Sequence, residues 1–222
     1  MHYRGQLPQL LNKPFMTDGG LETSLIYLEG LNLPEFAAID LMRSKQGRHS
    51  LEKYYRSYLE LARKTGHNFI LESPTWRASS DWVGPLGYSH AEMDQYNQSA
   101  IYLMSALKKE YASANMLIVL SGCVGPRSDG YQPTLIMSAR QAQTYHSKQI
   151  ELFADAGVDC ITAMNVNYVD EAIGIVWAAK IAKVPAVISF TVETDGNLIS
   201  GESLGEAILI VDAATKNGAA YY

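Results

Sequence analysis

Carboxylates, amides and hydroxyls stand directly behind short apolar runs at several points in this chain. Asp18-Gly19-Gly20 follows Pro14-Phe15-Met16-Thr17, and Glu72-Ser73-Pro74-Thr75 follows Asn68-Phe69-Ile70-Leu71. Asn165 follows the run at 158–163, and Glu193 follows the run at 186–192. Polar groups at the rim of a core are costly unless they are paired or put to use. Asp18, Glu72 and Glu193 together would hold a cationic group such as an ammonium. Gly19 and Gly20 lack Cβ, so their backbone amides can approach a carboxylate closely. Acids beside free amides suit a zwitterion, which is to say an amino acid. The plainer alternative is that Asp18 caps the helix that follows it and Glu72 pairs with Arg77. For each acid alone the two explanations are balanced; the set of exits favours a ligand.

Other constellations carry less. The five histidines (His2, His49, His67, His90, His146) show no H-x-H or H-E-x-x-H spacing and read as structural or solvent-facing. Tyr54, Tyr55 and Tyr58, at helical spacing, read as core packing. Cys123, on what reads as a glycine-flanked loop (Ser121-Gly122-Cys123-Val124-Gly125-Pro126), has no basic neighbour to activate it and reads as a small buried filler. Trp76, Trp82 and Tyr88 offer π faces to a cation or pack their own loops.

The elements that must position these residues alternate. Apolar, β-rich runs at 14–17, 68–71, 116–120, 158–163, 186–192 and 219–222 are separated by longer amphipathic stretches. The runs are continuous rather than alternating, as parallel strands covered on both faces should be. One helix places Leu51, Tyr54, Tyr55, Tyr58, Leu59 and Ala62 on a single face, with Gly66 at its end. Ser89, Ser138 and Ser203 each open the capping box S-x-x-E/Q ahead of an apolar-periodic segment. Gly157 and Gly218 close two helices before the next strand.

Repeated β-α units with right-handed crossovers make a parallel sheet, either an open doubly wound sheet or a (β/α)8 barrel. No G-x-G-x-x-G or P-loop follows any run, which favours the barrel over a nucleotide-binding sheet. In either, ligands bind at the carboxyl ends of the strands. The 222 residues are 47% apolar, with 18 Lys plus Arg against 23 Asp plus Glu, a net charge of −5. That balance argues against nucleic acid as a main partner. No run approaches the ~20 apolar residues of a membrane helix, and the N-terminus lacks a secretory h-region. Two cysteines make no disulfide framework and fit a reducing cytoplasm.

Taken in order, these segments resemble the homocysteine S-methyltransferase family. Met16-Thr17-Asp18-Gly19-Gly20-Leu21-Glu22-Thr23 is similar to its opening strand and loop, and Ser121 to Pro126 to its third-strand G-x-V-G-P turn. Ser189-Phe190-Thr191-Val192, with Gly196 and Leu198-Ile199-Ser200-Gly201, is similar to its fifth-strand segment. The resemblance implies a (β/α)8 TIM barrel that methylates the sulfur of homocysteine, with a methyl donor as second substrate. It further implies that Asp18 binds the substrate ammonium, that Gly19 and Gly20 lie against the amino acid's polar end, and that Ser73 and Thr75 line the pocket.

It also implies a zinc ion held by three cysteines, one after strand six and two later, that activates the homocysteine thiol. Cys123 and Cys160 match none of those positions, and Met164 stands where the family commonly carries a glutamate, with Glu193 or Asn165 as substitutes. The expectation is one barrel domain over 1–222, of about six βα units, truncated before the last strands and inactive in this form. An open strand edge favours association into a homo-oligomer. The alternatives are a non-catalytic amino-acid-binding barrel and a methyltransferase acting on a different thiol.

Overall fold

Six short strands lie side by side in chain order, each parallel to its neighbour. They are β1 (Phe15–Thr17), β2 (Asn68–Glu72), β3 (Ile118–Val124), β4 (Cys160–Val166), β5 (Ala186–Phe190) and β6 (Ala219–Tyr221). The computed structural model describes residues 3–11 and 13–222, so His2 falls outside it. Sequential order without a reversal is the winding of a (β/α) barrel, not of a doubly wound sheet. The six strands make a curled half-barrel, open at β1 and β6.

The helices between them are α1 (Leu21–Thr23), which runs on into a π-helical turn at Ser24–Leu28, α2 (Lys45–Thr65), α3 (His90–Tyr111), α4 (Ala139–Ala156), α5 (Val169–Ile181) and α6 (Leu204–Thr215). Their ends follow the local chemistry. Ser89, Ser138 and Ser203 each form a complete capping box with Glu92, Gln141 and Glu206. Gly66 and Gly157 take the left-handed conformation that closes α2 and α4, with φ of 72° and 94°. Gly218 does not play that part. Lys216 and Asn217 carry the positive φ after α6, while Gly218 is needed for space, since a Cβ there would lie 2.8 Å from Val176.

Both faces of the sheet are covered, by different means. Phe69, Leu71, Ile118, Leu120, Ile161 and Ile188 belong to the main core with the helices. On the opposite face Leu7, from the N-terminal segment, packs on Val119 and Cys160, with Phe15, Ile70 and Tyr221 around them. That segment is tied at the amino end of β4, where buried Asp159 accepts from the amides of Tyr3 (2.9 Å) and Leu120 (2.7 Å). The amino ends are thus plugged, and the carboxyl ends are left for a ligand.

Two strands run further than their apolar runs suggest. Ser121-Gly122-Cys123-Val124 belongs to β3 rather than to a loop, because Gly122 admits Phe153 of α4 where a Cβ would lie 2.6 Å from its ring. β4 continues to Val166 through a bulge, with a register shift between Ala163 and Val166 and Asn165 at φ 62°. Among the described residues no helix is long and apolar enough to cross a membrane.

Candidate functional site

A cavity of about 400 Å³ opens at the carboxyl ends of β1 to β4, within the size range of small-molecule sites. Asp18, Gly19, Gly20, Glu72, Ser73 and Asn165 line it, so six of the eight residues expected from sequence share one space. Thr75 and Glu193 do not line it. Thr75 is fully buried behind the wall. Glu193 sits in the exposed turn after β5, its amide bonded to Asn197 O at 2.7 Å. The reason is that β5 ends at Phe190, so the chain leaves the sheet three residues before the acid. The third carboxylate in the cavity is instead Glu22, in α1. Its position one turn beyond Asp18 was the available signal.

Asp18 does not cap a helix; Gly20 holds the N-cap position of α1, in a left-handed conformation (φ 62°) where a Cβ would strike Thr23 Oγ1 at 2.6 Å. The carboxylate is held from α2. Tyr54 shares its one hydroxyl hydrogen between Asp18 Oδ2 (3.0 Å) and Gly19 O (2.9 Å), and Tyr58 donates to the same carbonyl at 3.0 Å. These tyrosines therefore orient the Asp18-Gly19 loop as well as packing. Tyr55 lies between them and the cavity, fully buried, and its hydroxyl has no partner among the described residues.

Glu72 does not pair with Arg77, which bonds Asp129 at 3.1 Å instead. Glu72 faces the hydroxyls of Ser121 and Thr162, themselves 2.7 Å apart, while its Oε2 is buried without a partner among the described residues. Ser73 and Thr75 are occupied structurally. Cys123 N–H donates to Ser73 Oγ (2.9 Å), Thr75 Oγ1 donates to Cys123 O (2.6 Å), and the two hydroxyls are 2.7 Å apart. Because the Thr75 hydrogen is spent on the carbonyl, Ser73 must donate to Thr75. Neither hydroxyl keeps a hydrogen for a ligand; together they extend the β2–β3 ladder past the end of β2. Asn165 is steadied by Thr191 Oγ1 at 3.3 Å.

Burial raises all three acids. The Asp18 carboxyl is pushed up to about 6, with the Tyr54 hydrogen bond pulling the other way. Glu22 rises to about 7, through burial and then the Asp18 charge, against its backbone hydrogen bond and the pull of Arg77. Glu72 rises to about 7, through burial and the Asp18 charge, against the Thr162 and Ser121 hydroxyls. Carboxylates clustered this way favour a cation that lets them ionise. The remaining walls are Phe36, Trp76, Tyr131, Met164 and Cys123. Trp76 Nε1 donates to Met164 O at 3.3 Å. Tyr88 and Trp82 pack loops instead: Arg43 lies over Tyr88 and Arg77 over Trp82. The Cys123 thiol is pushed well up, by burial and then by Glu72, Glu22 and Asp18, which agrees with an inert filler.

A metal does not fit these residues. Among the described residues no group of three or more His, Cys, Asp or Glu could hold an ion. Cys123 and Cys160 are both buried, and burial opposes the thiolate that zinc requires in each.

The sequence model of the family described as "Homocysteine S-methyltransferase" matches residues 15–220. No curated protein sequence matches the chain. Among solved structures, it is similar to the homocysteine methyltransferase MmuM from Escherichia coli. To the metallated form the TM-score is 0.74 at 19% identity, over 95% of this chain and 74% of that one. To the oxidized form it is 0.68 at 17% identity, over 93% and 72%. To the apo form it is 0.60 at 20% identity, over 95% and 72%. At such identities the structural likeness is one of fold.

Proposed function

The chain belongs to the homocysteine S-methyltransferase family, and from that premise we propose that its cavity binds the amino-acid end of homocysteine for methyl transfer to the sulfur, yielding methionine. The observation that carries this reading is the pairing of Asp18, Glu22 and Glu72 in one cavity with two buried polar atoms that lack partners among the described residues, Glu72 Oε2 and Tyr55 Oη. A zwitterion answers both: its ammonium donates to the carboxylates, and its carboxylate accepts from the tyrosine hydroxyl. Asp18, oriented by Tyr54, takes the ammonium, and Gly19 and Gly20 leave room for the backbone end of the ligand. Phe36, Trp76 and Tyr131 exclude water above it.

Zinc activation of the thiol needs ligands from outside residues 1–222, since the donor set here does not suit the ion. A methyl donor is the proposed second substrate. We read residues 1–222 as one barrel domain of about six βα units, acting in a reducing cytoplasm, with open edges at β1 and β6 that favour self-association. A second reading is a module that binds the amino acid without catalysis, through the same acids and glycine amides that line the cavity.

Calorimetry with L-homocysteine and with its desamino analogue 4-mercaptobutanoate tests the assignment. The expected result is binding of homocysteine alone, weakened about tenfold by Asp18→Ala or Glu72→Gln, as for a lost charged hydrogen bond. Equal binding of the analogue would overturn it. Methyl transfer assayed in parallel separates enzyme from module.

A further inference from the structure

We propose that Arg77 is a positioning residue that assembles the aromatic wall of the cavity by joining two loops across the face of Trp76. Its guanidinium, on a side chain only 15% exposed, donates from Nη1 to Glu35 O (2.5 Å) and from Nη2 to Asp129 Oδ2 (3.1 Å). The same group lies 5.0 Å from the Trp76 ring centre and 4.5 Å from that of Trp82. Each partner leads directly to a residue lining the cavity. Glu35 precedes Phe36, and both hold a left-handed backbone, with φ of 53° and 56°, that non-glycine residues adopt only when their surroundings impose it. Asp129 accepts from the amides of Tyr131 (2.8 Å) and Gln132 (3.1 Å) through its other oxygen, so the carboxylate that takes Arg77 also sets the turn presenting Tyr131. Gly130 completes the contact, since a Cβ there would lie 2.8 Å from the Trp76 ring.

Phe36, Trp76 and Tyr131 come from three loops far apart in sequence, and one planar cation links them, lying over Trp76 and bonding Glu35, beside Phe36, and Asp129, two residues before Tyr131. Lysine cannot replace it. An ammonium keeps the charge but has neither the divergent planar donors nor the flat surface that stacks between two indoles. What the wall encloses rests on the homocysteine reading; that Arg77 holds the wall does not.

Hydrogen exchange on the full, ligand-free chain tests this without any ligand. In Arg77→Lys the amides of residues 33–37 and of 127–132 are both expected to exchange at least tenfold faster, while β3 and β4 keep their protection. Tryptophan emission is expected to shift to the red as Trp76 and Trp82 lose their cover. Asp129→Asn, a milder change, is expected to loosen 127–132 and leave 33–37 protected. Parental protection of both segments in Arg77→Lys would overturn the proposal, as would parental protection of 127–132 in Asp129→Asn. If the parent binds homocysteine, Arg77→Lys is expected to weaken it about tenfold; a parent that binds none would sink the homocysteine reading and leave the exchange result to decide this one.

Discussion

The Tyr54 hydroxyl lies 3.0 Å from Asp18 Oδ2 and 2.9 Å from Gly19 O, so a residue 36 positions along the chain sets the direction of the cavity's first carboxylate. The bond favours the ionised acid, opposing the burial that raises it. Tyr54→Phe keeps the ring contacts with Tyr55 and Tyr58, at 5.2 and 5.1 Å, and removes only the donor. Asp18 should then titrate higher, moving the pH midpoint of homocysteine binding up, with affinity at neutral pH falling about tenfold. Calorimetric titrations between pH 5.5 and 8 check this; an unmoved midpoint would mean that Tyr54 only packs.

The three raised acids make stability depend on pH in a definite direction. Asp18, Glu22 and Glu72 move from 3.8, 4.5 and 4.5 to about 6, 7 and 7 on folding. Between about pH 4 and pH 7 the folded chain holds protons that the unfolded chain has released, so these groups lose stability as pH rises and contribute no further change above the folded values. Glu72→Gln cannot ionise, so its urea midpoint should gain on the parent's as pH climbs through that window. A constant difference between the two proteins from pH 4.5 to 8 would count against it.

Gly125 sits where β3 leaves the sheet, and a Cβ there would stand 2.2 Å from the Trp76 carbonyl oxygen and 3.1 Å from its carbon. Backbone cannot swing aside as a side chain can. Gly125→Ala should cost about 1–3 kcal/mol, the usual range for forcing a methyl into a filled site. Gly84→Ala, which meets nothing within 4 Å, is the control. Equal denaturant midpoints for the two variants would refute the clash.

Both cysteines are buried. The Cys160 thiol is pushed up to about 12, chiefly by burial and then by the Glu72 charge. Alkylation depends on an accessible thiolate. Iodoacetamide at pH 7.5 should therefore add nothing to the native chain and two groups in urea, as read by intact mass. Prompt labelling of one native cysteine would show that Cys123 opens to the cavity.

Much of the scaffold was legible because it is set by nearest neighbours along the chain. Capping boxes at Ser89, Ser138 and Ser203 join groups three residues apart, and apolar runs mark strands through their own composition. Where a strand's length depends on a partner, nothing local marks its end. Gly122 belongs to β3 because Phe153 of α4 fills the space beside it, and nothing near Gly122 in sequence says so. Sequence order alone carried Asp18, Gly19, Gly20, Glu72, Ser73 and Asn165 to one end of the sheet, because parallel strands place every exit on the same side.

What each exit residue does there was a matter of packing. β5 stops at Phe190 and leaves Glu193 in solvent, while the turn of α1 brings Glu22 inward to take its place. Ser73 accepts from the Cys123 amide and passes its hydrogen to Thr75, Thr75 gives its own to the Cys123 carbonyl, and Arg77 turns from Glu72 to Asp129 and Glu35. Sequence, by itself, determined the alternation of strands and helices, most helix ends and the side of the sheet on which a ligand is met, since these follow from local propensity and from the handedness of β-α-β connections; the unreversed strand order came from the structure. Only the tertiary structure decided which carboxylates face one another and which hydroxyls are free, because those depend on contacts between residues tens of positions apart.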